Sequence, residues 1–326
     1  MVARVWWLLL ALGAAAAAPP DGPLIIAHRG ASGHRPEHTV EAYRLAVEMG
    51  ADFIEPDVVS TKDGVLIARH ENEISATTDV ADRFPDRKRA KTIDGKPVTG
   101  WFSEDFTLAE IKTLRTRERL DFRSRAYDGR FPIPTFDEVI ELAQRLGAEH
   151  GRPVGVYPET KHPTYFRGIG LPLEEPLLRS LDNASWNSRE SPVFIQSFEQ
   201  RNLRALRKQT KIRLIQLANF GSVPDDAALR DIATYADGIG AEKRLLIPVN
   251  PDGSLRPPTD LVDRAHRLGL LVHVWTVRPE KQFLPAGYKG EVKAELLQLR
   301  QLGVDGVFTD FPDLAVAAYQ QPATSR

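Results

Sequence analysis

Short apolar runs alternate along this chain with amphipathic segments, and Gly, Pro or Asp marks the turns between them. The apolar runs predict strands at residues 24–28, 53–59, 65–69, 153–157, 193–198, 212–217, 238–241, 270–277 and 306–309. The amphipathic segments predict helices at residues 39–49, 135–146, 173–181, 199–208, 225–235, 259–268 and 291–302. Because strands that alternate with helices pair in parallel, about eight such units predict an α/β fold, a closed (β/α)8 TIM barrel. An open doubly wound sheet is the alternative, but no glycine-rich phosphate loop opens a helix after a first strand.

One stretch interrupts this alternation. Residues 71–131 are rich in Arg, Lys and Asp, and their one predicted helix is short, at 108–114. We predict that this stretch is a small insertion after the second βα unit of a single domain that spans residues 19–326. Most of its charges are expected to face solvent, while one or two of its arginines are candidates to approach an anionic substrate.

Residues 1–18 are predicted to be a secretory signal peptide, because Arg4 precedes an apolar stretch and a run of alanines that offers cleavage sites. An uncleaved membrane anchor is the alternative, but the apolar stretch is shorter than the ~20 residues that a membrane span needs. We therefore expect a periplasmic or secreted protein with no stable membrane insertion after cleavage. The chain has no cysteine, which excludes disulfides and thiolate metal sites.

The net charge of the chain restricts the classes of partner that it is expected to bind. The 326 residues carry a formal net charge of −1, so no overall positive field favours binding to nucleic acid. Any attraction for anions must come from a local group of basic side chains. The sequence has no signal for oligomeric state.

Polar and ionisable residues recur at the carboxyl ends of the apolar runs, and in a barrel these ends converge on the face where active sites are built. These residues are His28, Glu55, Asp57, His70, Glu159, Gln196, Glu242, Trp275 and Asp310. Taken singly, each has an ordinary structural explanation. Their recurrence at the same end of successive units favours one shared site.

Three of these residues predict a metal site. Glu55 and Asp57 are two positions apart on one strand, so their carboxylates point to the same face, and Glu159, at the end of a later predicted strand, could supply a third. Buried anions repel one another unless a cation compensates them, and all-oxygen ligation favours Ca2+ or Mg2+ over zinc. The alternative is an ion-paired cluster with Lys161 or Arg29.

The two histidines add proton chemistry. Imidazole serves as acid or base near neutral pH, and cleavage of a phosphodiester needs both roles, one for the nucleophile and one for the leaving alkoxide. His28 and His70 end different strands and are predicted to flank a phosphate. Arg29 would give that phosphate two parallel hydrogen bonds, and Lys161 would add a point charge.

Motifs along nearly the whole chain after residue 18 carry a family resemblance. They are IIAHRGASGHRPEHT at 25–39, GADFIEPDVVSTKDG at 50–64, RH at 69–70, TDVADRFPDR at 78–87, DFTLAEIKTL at 105–114, VGVYPETK at 154–161, YADGIG at 235–240 and FTDFPD at 308–313. With these motifs the chain resembles the glycerophosphodiester phosphodiesterases, and most closely the bacterial periplasmic type.

The resemblance implies an activity and a set of residue roles. The activity is hydrolysis of glycerophosphodiesters, such as glycerophosphocholine and glycerophosphoethanolamine, to sn-glycerol 3-phosphate and an alcohol. It uses one divalent cation, Ca2+ before Mg2+, and a small-molecule substrate. The implied roles are catalysis by His28 and His70, metal binding by Glu55, Asp57 and Glu159, and substrate binding by Arg29, Lys161 and Trp275.

Three alternatives stay open at this point. Trp275 is a candidate wall of the glycerol pocket, but an ordinary core aromatic has the same sequence signature. Similar barrels with a comparable histidine pair hydrolyse lysolipids or sphingomyelin, as lysophospholipase D and sphingomyelinase D do. A non-catalytic binding or adhesion protein on the same barrel is the third, and retention of every proposed site residue disfavours it.

Overall fold

The computed structural model describes residues 22–219, 221 and 223–320, so the predicted signal peptide at 1–18 lies outside the described residues. The strands of this part are β1 (Leu24–His28), β2 (Phe53–Glu55), β3 (Asp57–Ser60), β4 (Leu66–Ala68), β5 (Arg89–Ile93), β6 (Lys96–Gly100), β7 (Gly155–Val156), β8 (Glu159–Thr160), β9 (Phe194–Ser197), β10 (Arg213–Ala218), β11 (Gly238–Glu242), β12 (Leu271–Val277) and β13 (Gly306–Thr309). Its α-helices are α1 (Val40–Glu48), α2 (Val80–Arg83), α3 (Leu108–Ile111), α4 (Phe136–His150), α5 (Pro163–Gly168), α6 (Glu174–Asn183), α7 (Gln200–Arg207), α8 (Asp226–Ile232), α9 (Leu261–His266), α10 (Val292–Gln301) and α11 (Pro312–Tyr319).

A ladder of parallel strands forms the centre of the molecule. β1 pairs with β13 on one side and β2 on the other, and the ladder runs without a break from β8 through β9, β10, β11 and β12 to β13. β2 pairs with β7, and β3 pairs with β8. Through these two pairs the segments β2–β3 and β7–β8 connect β8 back to β1. The sheet is of the TIM-barrel type, as predicted. The classification of residues 71–131 as an insertion stays a prediction.

Proline divides two of these segments. The run predicted as one strand at 53–59 is split into β2 and β3 at Pro56, and β7 is separated from β8 at Pro158. Proline has no N–H to donate to the neighbouring strand, so the regular hydrogen bonding of each strand is interrupted there. The pairing continues beyond each break, because the N–H of Glu159 donates to the carbonyl of Pro56 at 3.0 Å. The side chains therefore keep the alternation that brings Glu55 and Asp57 to one face.

The run predicted at 65–69 is a strand, but it stands outside the parallel ladder. β4 pairs antiparallel with β3, since the five residues between them are too few for a parallel crossover. The sequence patterns did not predict β5 and β6, which form an antiparallel hairpin. Asp94 and Gly95 make its two-residue turn, with φ angles of 48° and 78° that suit the right-handed twist of the strands. No helix among the described residues is long and apolar enough to cross a membrane.

Aromatic and aliphatic side chains fill the barrel interior below the carboxyl ends of the strands. They are Ile26, Phe53, Tyr157, Phe194, Ile215 and Phe308. His273 lies fully buried among these rings, and its Nδ1 is 2.7 Å from the hydroxyl oxygen of Tyr157. Burial lowers the pKa of His273 to about 4, so the ring is neutral at neutral pH.

We expect His273 to make the fold sensitive to acid. Its pKa is lowered in the folded state, so between about pH 6.5 and pH 4 the unfolded chain binds more protons and stability falls with falling pH. Its contribution to the loss is about 3 kcal/mol between pH 7 and pH 4. Urea unfolding at several pH values measures this, and His273→Asn should flatten the curve. An unchanged curve in that variant would show that other groups cause the loss.

Candidate active site

A cavity of about 220 Å³ opens at the carboxyl ends of the barrel strands. Seven of the eight predicted site residues line it, and the eighth, Asp57, is buried beside them. The full lining is His28, Arg29, Glu55, His70, Arg119, Glu159, Lys161, Gln196, Phe198, Leu217, Trp275, Thr276, Arg278 and Phe308. Most of the strand-end residues therefore lie at one physical site, although Glu242 does not line it.

Three carboxylates meet at the floor of the cavity. One oxygen each of Glu55, Asp57 and Glu159 lies within 4.8 Å of the others, because Asp57 and Glu159 are cross-strand neighbours and Glu55 precedes Asp57 by two positions. Glu55 accepts hydrogen bonds from the backbone N–H of Arg29 at 2.8 Å and from the amide of Gln196 at 2.9 Å. These bonds fix the carboxylate in the direction of its two neighbours.

The electrostatics of this cluster fit a bound cation. Burial raises the pKa of Glu55 well above its ordinary value, and repulsion from Asp57 and Glu159 adds to this effect. Burial likewise raises the pKa of Glu159 to about 7, against the opposing charge of Lys161. Asp57 Oδ1 is buried without a hydrogen-bond partner. Three buried oxygen donors that repel one another, one of them unpartnered, are suited to a hard divalent cation.

His28 is held by a carboxylate from the last barrel strand. Its Nδ1 donates to Asp310 Oδ1 at 2.6 Å, and the other oxygen of Asp310 accepts from Arg123 and Arg278, each at 2.6 Å. Burial and the charge of Arg29 lower the pKa of His28 to about 3, although Asp310 opposes this. The ring is therefore neutral at neutral pH, and Nε2 is the nitrogen that it can offer to a substrate.

His70, which also lines the cavity, has a similar arrangement. Its Nδ1 donates to Glu71 Oε1 at 2.8 Å, and its Nε2 accepts from Lys161 Nζ at 3.4 Å. A carboxylate can only accept and an ammonium can only donate, so both contacts require the same neutral tautomer. Burial, with the charges of Arg29 and Lys161, lowers the pKa of His70 to about 4. Lys161 also pairs with Glu159 at 2.8 Å.

Cationic side chains surround the cavity. Arg29, Arg119, Lys161 and Arg278 all line it, although the chain as a whole is nearly neutral. Arg29 is buried, its NH1 donates to Glu37 at 3.1 Å, and its Nε lies 3.6 Å from Asp57 Oδ2. This local group of positive charges is suited to an anion such as a phosphate.

Trp275 forms part of an apolar wall of the same cavity. Its indole N–H donates to the carbonyl of Gly240 at 2.8 Å, and its ring meets Phe198 edge to face at 5.8 Å between centroids. Phe198 and Leu217 extend this wall. The structure therefore places Trp275 at the cavity and not in the closed core.

Comparison with known proteins identifies the chain. The sequence profile of the glycerophosphoryl diester phosphodiesterase family matches residues 28–314. The chain belongs to this family. It is 40% identical over 316 residues to a glycerophosphodiester phosphodiesterase of Arabidopsis thaliana, with 89% of this chain and 84% of the relative covered. It is 31% identical over 333 residues to one of Haemophilus influenzae, with coverages of 90% and 88%.

Solved structures have the same fold as this family member. A phosphodiesterase of Oleispira antarctica, solved in complex with the product sn-glycerol-3-phosphate, superposes with a TM-score of 0.65 at 21% identity and covers 92% of this chain and 98% of its own. A glycerophosphodiester phosphodiesterase of Agrobacterium tumefaciens gives a TM-score of 0.59 at 21% identity, with coverages of 90% and 99%. These likenesses establish the TIM-barrel type fold.

Several residues of the site in this glycerophosphodiester phosphodiesterase family member had no role in the sequence prediction. Gln196 and Asp310 stand at strand ends, so the rule that found His28 also marks them, but it gives no partner for either. Arg119 and Arg123 come from the charged stretch 71–131, in which one or two arginines were candidates to approach a substrate. Arg119 lines the cavity, and Arg123 reaches it through Asp310.

Proposed function

We propose that this protein hydrolyses glycerophosphodiesters to sn-glycerol 3-phosphate and an alcohol, with one bound divalent cation, Ca2+ in preference to Mg2+. The observation that carries the proposal is the juxtaposition of three buried carboxylates and two carboxylate-anchored histidines around one cavity with a cationic lining. The family membership of the chain supports the same reaction. The product bound to the Oleispira antarctica relative supports the same substrate class.

Glu55, Asp57 and Glu159 would hold the cation, which when bound supplies positive charge to neutralise the phosphate and the charge that develops on it. Arg29 and Lys161 bring permanent positive charge to the same place. The guanidinium of Arg29 lines the cavity and is a candidate donor for a phosphate oxygen. These residues orient the phosphodiester between the two histidine walls.

The two histidines divide the proton transfers. One accepts a proton at Nε2 from the attacking hydroxyl. The other has to enter the reaction as an imidazolium with a proton on Nε2, and it becomes neutral when it donates that proton to the leaving alkoxide. Each has its Nδ1 on a carboxylate, so each offers Nε2 to the substrate. His28 is held by the more buried of the two carboxylates, because Asp310 is 1% exposed while the side chain of Glu71 is 49% exposed.

The size of the cavity favours a deacylated substrate. A volume of about 220 Å³ suits a glycerol phosphate with a small alcohol, and the wall of Trp275, Phe198 and Leu217 would contact the glycerol carbons. A lysolipid would have to extend its acyl chain out of the mouth, along the exposed ring of Phe198. Hydrolysis of lysolipids is therefore the second candidate function.

A turnover assay tests the proposal. Purified protein with glycerophosphocholine and Ca2+ should release glycerol 3-phosphate, measured by an enzyme-coupled assay, and lysophosphatidylcholine should be cleaved at least about tenfold more slowly. Faster cleavage of the lysolipid would favour the second candidate. Specific binding of glycerophosphocholine without turnover at any pH or metal concentration would favour a non-catalytic protein.

The remaining proposals concern cellular location and the charged stretch. We propose that residues 1–18 direct export to the periplasm or medium and are removed, and that residues 71–131 are an insertion in a single domain. Amino-terminal sequencing of the mature protein from cell fractions tests the first. Intact residues 1–18 on protein from the cytoplasmic fraction alone would contradict it.

A further inference from the structure

A continuous line of contacts leads from His70 out of the cavity to the tip of the β5–β6 hairpin. Glu71 accepts from His70 Nδ1 through Oε1 at 2.8 Å and from His162 Nε2 through Oε2 at 2.9 Å. His162 Nδ1 then lies 2.5 Å from Asp94 Oδ2. The line joins residues from three separate parts of the chain, and it begins at a group to which the proposed reaction assigns a proton transfer.

The backbone holds both outer members of this line in unusual conformations. His162 has a φ of 49° directly before the first residue of α5, and Asp94 has a φ of 48° at the hairpin turn. The left-handed region is unfavourable for residues other than glycine and persists only where the surroundings stabilise it. Asp94 tolerates it in an Asp-Gly turn. At His162 the stabilising contacts are the two carboxylates.

The donor and the acceptor of each hydrogen bond along this line of contacts can be assigned. Both partners of His162 are carboxylates, which only accept, so both of its ring nitrogens carry protons and the ring is a cation. The hydrogen bonds that His162 donates to Glu71 and Asp94 accordingly raise the pKa of His162 despite its partial burial. Hydrogen bonds from His162 and His70 hold the pKa of Glu71 well below its ordinary value. Glu71 is therefore an ionised acceptor with one oxygen for each histidine.

Exposure explains why His70 needs this support. The side chains of Glu71 and Asp94 are each 49% exposed, whereas that of His162 is 16% exposed. A half-exposed glutamate on its own loses little by turning into solvent, and His70 would then lose the acceptor that keeps its proton on Nδ1. The partly buried imidazolium between the two carboxylates restrains Glu71 in the orientation that His70 requires.

We propose that Glu71, His162 and Asp94 are positioning residues that fix the tautomer and orientation of His70, so that docking of the β5–β6 hairpin tip is required for full activity. The inference rests on the proposed phosphodiesterase function, in which His70 transfers a proton through Nε2. None of the three touches the substrate in this scheme, and all three act through His70.

Kinetics of three variants test the positioning role. Glu71→Gln and His162→Gln should each lower kcat roughly tenfold, with KM within about twofold of the wild-type value, since proton transfer and not binding is impaired. Asp94→Asn, on the exposed hairpin tip, should lower kcat about threefold without a change in thermal unfolding. His266→Gln is the matched control, because His266 also pairs with a carboxylate, Asp305 at 2.9 Å, but neither residue lines the cavity.

Nitrogen-15 NMR of histidine gives a readout that does not depend on turnover. In the wild-type protein His70 should show a protonated Nδ1 and an unprotonated Nε2, and Glu71→Gln should shift it to a mixture of tautomers. Wild-type kcat in both Glu71→Gln and His162→Gln, or an unchanged tautomer in Glu71→Gln, would overturn the proposal. A wild-type protein that hydrolyses no glycerophosphodiester would overturn the proposed function, and the tautomer readout would still decide the positioning role.

Discussion

Removal of divalent cations with EDTA is expected to lower the hydrolysis of glycerophosphocholine at least about 100-fold, and added Ca2+ should restore it. Glu55, Asp57 and Glu159 bring three buried carboxylates within 4.8 Å of one another, and within the described residues this is the one such group. Without a cation the raised pKa values of Glu55 and Glu159 favour their protonated forms, and the positive charge for the phosphate is missing. Turnover measured before EDTA, after EDTA and after dialysis into Ca2+ or Mg2+ checks this.

A variant pair separates metal loss at this site from general effects of the chelator. Glu55→Gln keeps the size of the side chain but removes one anionic ligand, so it should lose activity at low Ca2+ and recover part of it at high Ca2+. Glu242→Gln is the matched control, because Glu242 also ends a barrel strand, yet it does not line the cavity and accepts from the N–H of Arg244. Full activity after exhaustive metal removal would contradict a metal-dependent mechanism.

The fold and the centre of the site follow from patterns that are local in the sequence. Apolar runs and amphipathic segments indicate the barrel strands and helices because burial selects them one element at a time. Convergence of the carboxyl ends then makes strand-end residues neighbours, which is why His28, Glu55 and Glu159 were grouped although they lie far apart in the chain. The same rule marked Glu242, which the structure leaves outside the cavity lining. Strand ends thus define a ring of candidates, and packing selects among them.

The parts that escaped prediction depend on long-range contacts. Arg123 comes from a charged stretch with no strong periodicity, and only the folded chain shows that it meets Asp310 at 2.6 Å across 187 positions of sequence. His162 and Asp94 are likewise ordinary polar residues until the hairpin tip is placed beside α5. Ion pairs between distant segments cannot be detected in local composition. The sequence patterns therefore predicted the barrel and the central site residues, but not the charged residues that hold those site residues in place.

The largest effect of a single substitution is expected at His28. His28→Ala removes a proton-transfer group and should lower kcat roughly 100- to 10,000-fold, with a much smaller change in KM. His34→Ala is the control on the same loop, because His34 pairs with Asp313 at 3.1 Å and does not line the cavity. Steady-state kinetics with saturating Ca2+ measure both, and undiminished kcat in His28→Ala would exclude His28 from the proton transfers.

Asp310→Asn tests how much of this effect depends on the orientation of the ring. Asparagine can present its amide N–H₂ to Nδ1, which stabilises the wrong tautomer of His28, so kcat should fall roughly 10- to 1,000-fold. The substitution also leaves Arg123 and Arg278 facing a neutral group, so thermal unfolding should shift to lower temperature. The two effects can be measured separately. A loss of stability alone changes the amount of folded enzyme, whereas a change of the His28 tautomer lowers kcat per folded molecule and should leave KM unchanged. An Asp310→Asn protein that is less stable but has wild-type kcat per folded molecule would make Asp310 a purely structural anchor for the two arginines.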